Sequence, residues 1–160
     1  MKPLAITTTI LLILALLGAG WLFLNANITV EQVTVQATEA VVQQDYFDQI
    51  KTQLANSCFE GTVFNQSPLG ESESYQFLTY NVRLKNAAFV TADMVEVQIT
   101  PMEGDVVQIG SFAPKSLPRQ SMGDIQATIL TDANMHSVRE LSVTYYIWGF
   151  PFITKTTSGR

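Results

Sequence analysis

The sequence predicts a mainly β protein, an antiparallel β-sandwich with one amphipathic helix, preceded by an N-terminal transmembrane helix. Three observations support this fold class. An uncharged apolar run of 21 residues, Leu4 to Leu24, lies near the start of the sequence. Apolar residues then recur every four positions between residues 38 and 54, which is the spacing of a helix. Beyond residue 74, apolar and polar residues alternate in several short segments, which is the pattern of half-buried strands.

The run from Leu4 to Leu24 is long enough to cross a bilayer, because a helix of that length spans about 30 Å. Lys2 precedes it and the first charge after it is Glu31, so the positive-inside rule predicts a cytoplasmic N-terminus and an extracytoplasmic remainder. The alternatives are a secretory signal, cleaved near the small residues at 18–20, and a buried core helix. The run continues past residue 20 and exceeds the usual apolar region of a signal, which favours an uncleaved anchor in the cell membrane.

Three regions follow from these patterns. Residues 1–26 are predicted to form the cytoplasmic N-terminus and the anchor, residues 27–57 a juxtamembrane strand and the amphipathic helix, and residues 58–160 the β-sandwich domain. In the second region, Ile28 and Val30 alternate with polar residues, and the alternation resumes at Val33 after a slip at 31–32. This pattern predicts a strand or an extended stalk that contains a bulge.

The amphipathic helix is predicted from about residue 38 to residue 54. Val42, Tyr46 and Ile50 recur every four residues, and Phe47 and Leu54 lie on the same side. After the helix, the segment FEGTVF is short enough to be one strand. The polar segment NQSPLGESES at 65–74 has the composition of a loop.

The rest of the chain is predicted to be strands joined by turns. Apolar residues alternate with polar ones at 78–84, at 95–99 and at 125–129. PMEGD, between the second strand and VVQIG, predicts a hairpin, and SLPRQSMGD predicts a loop. A last and longest strand is predicted to start near Val138. Short strands at this spacing are typical of two antiparallel sheets packed as a sandwich.

The order of these segments resembles a family. YNVRLKN, followed by VEVQI, a hairpin, SLPRQSMGDIQATI and LSVTYYI, is similar to the small immunoglobulin-like sandwich modules of bacterial envelope proteins, including the FxLYD-type domains. The resemblance covers about Tyr80 to Ile147, with Arg119-Gln120 where those modules have Gly-Glu after the proline. It implies an immunoglobulin-like β-sandwich with an accessory or binding role, and it carries over no catalytic residue.

The charge balance and the cysteine content limit the classes of partner. Removing Lys2 from the 9 basic residues leaves 8 against 14 acidic residues, a formal charge of −6 for the predicted exterior part. This balance disfavours nucleic acid and anionic lipid surfaces as partners. Cys58 is the single cysteine, so no intrachain disulfide can form. We expect Cys58 to be a small buried apolar residue, with an intermolecular disulfide as the alternative.

The sequence predicts neither a catalytic site nor a metal or cofactor site. His136 is the only histidine, so a zinc site would need ligands drawn mostly from carboxylates, which zinc sites seldom use alone. No Gly-x-Ser-x-Gly turn presents a nucleophilic serine, and no run of acids has the spacing of a calcium loop. We therefore expect a protein that is not an enzyme, has no cofactor and has no evident small-molecule substrate.

The segment YYIWGFPF at 145–152 is the strongest candidate for an interaction site, because it places five aromatic side chains within eight residues. If the strand ran straight on, Tyr146, Trp148, Phe150 and Phe152 would form one exposed stripe. We expect the predicted helix at 38–54 to cover Tyr146 and Trp148, and a bulge at Gly149 to send Phe150 and Phe152 into the sandwich. The alternatives are a contact of these four residues with a protein partner, or with a ligand or lipid.

Together these features predict a membrane-anchored extracytoplasmic β-sandwich module with a binding or structural role in the cell envelope. The membrane is contacted through Leu4 to Leu24, and a protein partner in the envelope is expected. The alternative is an accessory subunit of a membrane complex that assembles through the anchor helix. Gly18 and Gly20 would then allow another helix to approach closely.

Overall fold

The structure, a computed structural model, describes residues 2–110 and 115–158. These residues form two α-helices, two short 3-10 turns (Ala40–Gln43 and Ser72–Ser74) and nine β-strands. In chain order, the helices and strands are α1 (Lys2–Leu24), β1 (Ile28–Glu39), α2 (Gln44–Ala55), β2 (Thr62–Val63), β3 (Tyr75–Asn86), β4 (Ala92–Ile99), β5 (Asp105–Ile109), β6 (Lys115–Leu117), β7 (Ser121–Asp132), β8 (Glu140–Ile147) and β9 (Phe150–Thr157).

The strands form two antiparallel sheets, which confirms the predicted sandwich. One sheet has five strands in the order β1-β3-β7-β5-β2, and the other has four in the order β6-β4-β8-β9. The core between them is built from the alternating apolar residues of β3, β4, β7 and β8, such as Leu78, Val97, Ile129 and Val143. Because every second residue of a strand faces the same way, the alternation in the sequence becomes the buried face of each sheet.

β1 is the edge strand of the five-stranded sheet. It pairs with β3 from Ile28, opposite Asn86, to Glu39, opposite Gln76, with a shift of register between Val30 and Gln32. This shift is the bulge that the slip at 31–32 predicts. The strand also runs further than the sequence suggests, because β3 offers it a pairing partner as far as Glu39.

The start and the packing of the second helix differ from the prediction. Residues 40–43 form a 3-10 turn and α2 begins at Gln44, so Val42 lies outside the helix and is 71% exposed. Phe47 and Ile50 are buried against Phe77, Leu130 and their neighbours. Phe77 and Leu130 face the opposite way from Leu78 and Ile129, on the outside of the five-stranded sheet, so α2 covers part of that outer face.

The predicted hairpin at 101–105 is wrong. β4 belongs to the four-stranded sheet and β5 to the five-stranded sheet, where β5 pairs with β7 and β2. The connection is tight, with Gly104 at φ +93° and a backbone bond from Asp105 N to Met102 O, but it crosses between the sheets. After the crossing, Val106 and Val107 are both buried in the cluster below α2.

The structure contains two strands that the sequence patterns do not predict, β6 and β9. The SLPRQSMGD segment contains the end of β6 and the start of β7 rather than one loop. The predicted last strand is a pair, β8 and β9, which are joined as an antiparallel hairpin.

The buried side-chain amide of Gln108 links two strands that are not paired through their backbones. Gln108 of β5 accepts a hydrogen bond from Ile99 N at 2.9 Å and donates one to Val97 O at 2.8 Å, so its side chain connects the two sheets. β6 covers the edge of β4 only as far as Val95. The Gln108 amide therefore satisfies backbone groups of β4 in the manner of a neighbouring strand.

The two ends of the sandwich differ. At one end, which we call the α1 end, lie the β3–β4 loop at 87–91, the β6–β7 turn at 118–120 and the β8–β9 turn at 148–149, because the paired strands terminate there together. α1 leaves from this end. Only residues 25–27 separate α1 from β1, and Ala26 and Ile28 are already part of the core.

Candidate functional site

The aromatic segment at 145–152 forms the β8–β9 hairpin at the α1 end. Ile147 pairs with Phe150, and Trp148 and Gly149 form a two-residue turn with φ of +51° and +81°. Two consecutive positive φ angles belong to the type I′ turn, whose twist matches that of a hairpin. The predicted bulge at Gly149 is therefore wrong, because the glycine reverses the chain instead of inserting an extra residue.

Two of the aromatic rings face the core. Tyr145 is buried, as the alternation in β8 predicts, and Phe152 stacks on it with ring centroids 5.5 Å apart. The Tyr145 hydroxyl accepts a hydrogen bond from Ile28 N at 3.2 Å and lies 3.5 Å from Asn27 Oδ1. Thr154 of β9 also donates to Ile28 O at 3.2 Å. The hairpin therefore holds the junction between α1 and the sandwich.

The other aromatic residues of the segment face outward. Trp148 is 54% exposed and Phe150 is 58% exposed, while Tyr146 is half-buried on the outer face of the four-stranded sheet, opposite Pro151. α2 does not cover them, because it packs on the other sheet. The expectation that α2 covers Tyr146 and Trp148 is wrong, and Phe150 does not enter the sandwich. A protein contact through Tyr146, Trp148, Phe150 and Phe152 stays a prediction.

The last turn of α1 contacts the α1 end of the sandwich. The Phe23 ring lies 5.5 Å from the Phe150 ring, in an edge-to-face arrangement, and 5.1 Å from the Phe152 ring. The Trp21 ring lies 6.4 Å from the Phe89 ring, which is at the tip of the β3–β4 loop. These separations are within the range of favourable aromatic pairs. The helix is therefore packed against the sandwich at its end, without a free linker.

Asn86 fixes the loop that carries Phe89. Its buried side chain donates hydrogen bonds to the carbonyls of Val90, Leu117 and Pro118 at 2.8 to 3.1 Å, and it accepts one from Ala88 N at 3.0 Å. One amide thus joins the β3–β4 loop to the β6–β7 turn. The exposed ring of Phe89 stands between Ala88 and Val90, whose backbone groups are bonded, which limits the movement of the loop.

Phe89, Trp148 and Phe150 form what we call the aromatic rim of the α1 end. Among the described residues beyond α1, four aromatic side chains are exposed, and the three that are more than half exposed are in the rim. The fourth, Tyr46, lies on α2. The residues at 87–91 and 147–153 carry no charge. The rim is therefore an apolar surface, suited to contact rather than to acid–base or nucleophilic chemistry.

The opposite end of the sandwich contains a buried ion pair. Arg139 Nη2 lies 2.9 Å from Asp105 Oδ1, and both side chains are fully buried. Arg139 also donates to the carbonyls of His136 and Val138, and Asp105 accepts a bond from Met102 N. The two side chains bind each other and nearby backbone groups, so the pair has the arrangement of a structural element that fastens β5 to the start of β8.

Tyr80 lies next to this pair. Burial raises the pKa of its phenol to about 12, while Arg139 acts to lower it and Asp105 to raise it. The hydroxyl donates to Ser137 O at 2.9 Å. The neutral phenol is therefore the form that the fold favours.

The outer face of the five-stranded sheet is polar where α2 does not cover it. A shallow depression of about 390 Å³ there is lined by Gln32, Thr34, Asn81, Arg83, Asp124 and Gln126. Arg83 binds Asp124 through two hydrogen bonds, of 2.8 and 3.1 Å, which raises the pKa of the guanidinium and lowers that of the carboxyl. Both side chains are more than half exposed, and their hydrogen-bonding groups bind each other rather than point at a vacant centre.

The described residues contain no group of three or more histidine, cysteine or acidic side chains placed to hold a metal. His136 lies in the β7–β8 connection beside Arg139, 3.4 Å from its Nη1. Cys58 is exposed, so the expectation of a small buried residue is wrong. It follows the C-terminal end of α2, where Ser57 takes a positive φ of 54°.

No protein-family model matches the chain, and no curated protein is significantly similar to it. Among solved structures, it is similar to a FixG-related protein from Vibrio parahaemolyticus, with 7% identity and a TM-score of 0.35 over 51% of this chain and 76% of that chain. It is also similar to the cupredoxin domain of amoB from Nitrosocaldus yellowstonii, with 10% identity and a TM-score of 0.36 over 82% and 84%.

These two likenesses are to β-sandwich folds and do not support the FxLYD-type assignment. At such TM-scores they carry no functional argument, and the sandwich assignment rests on the strand pairing itself.

Several residues that organise the site do not stand out in the sequence. Asn86, Gln108 and Arg139 are polar and almost fully buried, yet each lies in or next to an alternating strand where a polar residue is ordinary. One available signal is that Asn86 and Gln108 fall on apolar-facing positions of their strands. Phe89 carries no signal, because a single phenylalanine in a loop is common.

Proposed function

We propose that this protein is a single-pass membrane protein that holds a β-sandwich against the outer face of a bacterial cytoplasmic membrane, where the sandwich has a binding or structural role. One observation carries the proposal. The helix Pro3–Leu24 has 22 residues and contains an 18-residue stretch with a mean hydropathy of 2.2, of which none is buried inside the protein. A surface of this kind is unfavourable in water and is stable in hydrocarbon.

The way α1 joins the sandwich supports an anchor over the two alternatives. A core helix would be buried by the rest of the chain, and α1 is not. A cleaved signal would leave the domain, yet Phe23 packs on Phe150 and Phe152, and residue 26 is in the core. These contacts make the last turn of α1 part of the folded unit, so we propose that the helix is retained.

The role of the displayed domain is proposed to be binding or structural rather than catalytic. Its buried charges, Arg139 and Asp105, are bonded to each other. On the polar outer face of the five-stranded sheet, the charged groups of Arg83 and Asp124 are also bonded to each other. Such arrangements support rigidity, whereas an active site places unpartnered groups around a cavity. The resemblance to envelope immunoglobulin-like modules of the FxLYD type agrees with this role and remains a proposal.

The native cysteine offers a direct test of the topology. Cys58 is exposed and follows α2, whereas Lys2 lies before the apolar run. We expect a membrane-impermeant thiol reagent to label Cys58 of the full chain in intact spheroplasts. A matched Cys58→Ser/Pro3→Cys variant, which keeps Lys2 before the apolar run, should be labelled only after the membrane is opened.

Two results would contradict the proposal. Labelling of Cys58 only after lysis would place the sandwich in the cytoplasm. Release of the full chain from membranes by alkaline carbonate would show that α1 does not span the bilayer.

A further inference from the structure

We propose that the aromatic rim, formed by Phe89, Trp148 and Phe150, enters the interfacial layer of the bilayer that α1 crosses, so that the sandwich sits on the membrane in one fixed orientation. The proposal rests on the membrane anchoring inferred above. It assigns a lipid contact to the rim, in addition to the binding or structural role that we propose for the sandwich.

The depth of the rim follows from the length of α1. The 22 residues Pro3–Leu24 span about 33 Å at 1.5 Å per residue, close to the hydrocarbon thickness of about 30 Å. Little slack remains, so Trp21 and Phe23 in the last turn lie at the outer edge of the hydrocarbon. The Phe89 and Phe150 rings contact these two side chains at centroid distances of 6.4 and 5.5 Å. The rim is therefore held at the depth of the interfacial layer.

The junction between α1 and the sandwich keeps this depth fixed. Ile28 is bonded through its N–H to the Tyr145 hydroxyl and through its carbonyl to Thr154. Both partners belong to the β8–β9 hairpin that carries Trp148 and Phe150. Asn86 holds the loop that carries Phe89. The β8–β9 hairpin cannot move away from Ile28, four residues after the end of α1, without breaking these two bonds.

The chemistry of the rim suits a lipid interface. Tryptophan is enriched at the membrane–water boundary, because its ring is apolar and its N–H bonds to water or headgroups. The uncharged residues at 87–91 and 147–153 can leave bulk water without the desolvation of an ion. The nearby turn carries Arg119, whose long side chain can reach the phosphate layer.

The conformation of Trp148 is a second indication. It occupies the first turn position at φ +51°, where a type I′ hairpin favours asparagine, aspartate or glycine. A bulky side chain is unfavourable in this left-handed region. The turn thus presents a large aromatic ring at the tip of the hairpin at the expense of local backbone preference, as functional sites often do.

The test is the depth-dependent quenching of tryptophan fluorescence by brominated lipids, with the full chain in phosphatidylcholine bilayers. The chain has two tryptophans, Trp21 and Trp148. Trp21→Phe leaves Trp148 as the reporter of the rim, and Trp148→Phe leaves Trp21 as the reporter of α1. A third chain, Trp21→Phe/Trp148→Phe/Tyr46→Trp, reports from α2. This helix packs on Phe77 and Leu130, at the end of the five-stranded sheet far from α1, so we expect it to stay in water.

We expect Trp148 to lose fluorescence in bilayers brominated near the headgroup and to lose much less when bromine is near the chain ends. Its emission should be shifted to the blue relative to tryptophan at position 46, which should be unquenched in both lipids. Far-UV circular dichroism should be the same for all three chains, because the Trp→Phe changes keep an aromatic ring.

The outcomes separate this inference from the anchoring on which it rests. If Trp21 is not quenched, α1 is not in the bilayer and the proposed function fails. If Trp21 is quenched while Trp148 responds no more than tryptophan at position 46, the anchoring stands and the lipid contact of the rim is overturned. The rim would then face water, a second copy or another protein.

Discussion

The buried Arg139–Asp105 pair gives the largest predicted effect of a single substitution. Arg139→Met keeps an unbranched apolar stem and removes the guanidinium with its charge. It leaves the Asp105 carboxylate buried with the bond from Met102 N but without its cation. The carbonyls of His136 and Val138 also lose the guanidinium, which lies 2.6 and 3.1 Å from them.

The expected magnitude follows from these lost contacts. Breaking a buried ion pair by removing one partner costs about 3 to 5 kcal/mol, because the remaining charge is uncompensated. Domains are stable by about 5 to 15 kcal/mol in total, so the change removes a large share of the stability. The double variant Arg139→Met/Asp105→Leu leaves no unpaired charge. We expect it to be more stable than the sum of the two single changes predicts, by about 1 to 3 kcal/mol.

Urea unfolding of the full chain in detergent micelles, followed by circular dichroism, measures these free energies. The matched control is Lys155→Met, which breaks the exposed pair of Lys155 and Glu140, at 2.8 Å, and should cost about 1 kcal/mol or less. If Arg139→Met costs no more than Lys155→Met, the buried pair does not fasten β5 to β8 as reasoned. Strict additivity of the double variant would refute the coupling of the two charges.

Three other predictions concern buried hydroxyl and amide groups. The free energy of unfolding should fall by about 2 kcal/mol between pH 10 and 12, because burial raises the pKa of Tyr80 to about 12 and the folded state holds the phenol proton longer than the unfolded state. Tyr80→Phe should abolish this loss. Gln108→Leu should cost about 3 kcal/mol, since Ile99 N and Val97 O lose their buried partner. Tyr145→Phe should cost about 1 to 3 kcal/mol, because the hydroxyl that accepts from Ile28 N is removed.

The same unfolding measurement checks all three. A Tyr80→Phe chain that still loses stability between pH 10 and 12 as the parent does would assign that loss to another group. A Gln108→Leu chain as stable as the parent would mean that β4 does not depend on this amide. An unchanged unfolding midpoint for Tyr145→Phe would show that the hydroxyl does not hold the α1 junction.

The local patterns predicted the strands well, because the pattern and the burial have the same cause. Leu141, Val143, Tyr145 and Ile147 alternate in the sequence, and all four are buried in the core. The bulge in β1 was also predictable, since a slip of one residue in the alternation means one extra residue in the ladder.

The position of α2 could not be predicted from the helix alone. Its apolar side needed a partner, and two faces competed for it: the aromatic face of β8 and the outside of β3 and β7. The structure selects the second, where Phe77 and Leu130 lie. The sequence signal for this choice lies in the strands, in the consecutive apolar pairs Phe77-Leu78 and Ile129-Leu130. Neighbouring residues of a strand face opposite sides of the sheet, so such a pair indicates that both faces are covered.

The sequence identifies the aromatic segment as a candidate site, but it does not predict the geometry of the segment. Trp148-Gly149 does not resemble the Asn-Gly signal of a tight hairpin, so one long strand was the natural prediction. The importance of Phe89 and Asn86 depends on strand termini that meet only after the sheets form.

The sequence by itself determined the apolar helix, the alternating strands and the absence of a disulfide within the chain, because each of these depends on the chemistry of neighbouring residues or on a count. Only the tertiary structure decided which sheet each strand joins, which face α2 covers and where the aromatic rings point. Those choices depend on contacts between residues far apart in the chain, such as Phe23 with Phe150 and Asp105 with Arg139. Contacts of this kind leave no period in the sequence, since their two halves become neighbours only when the chain folds.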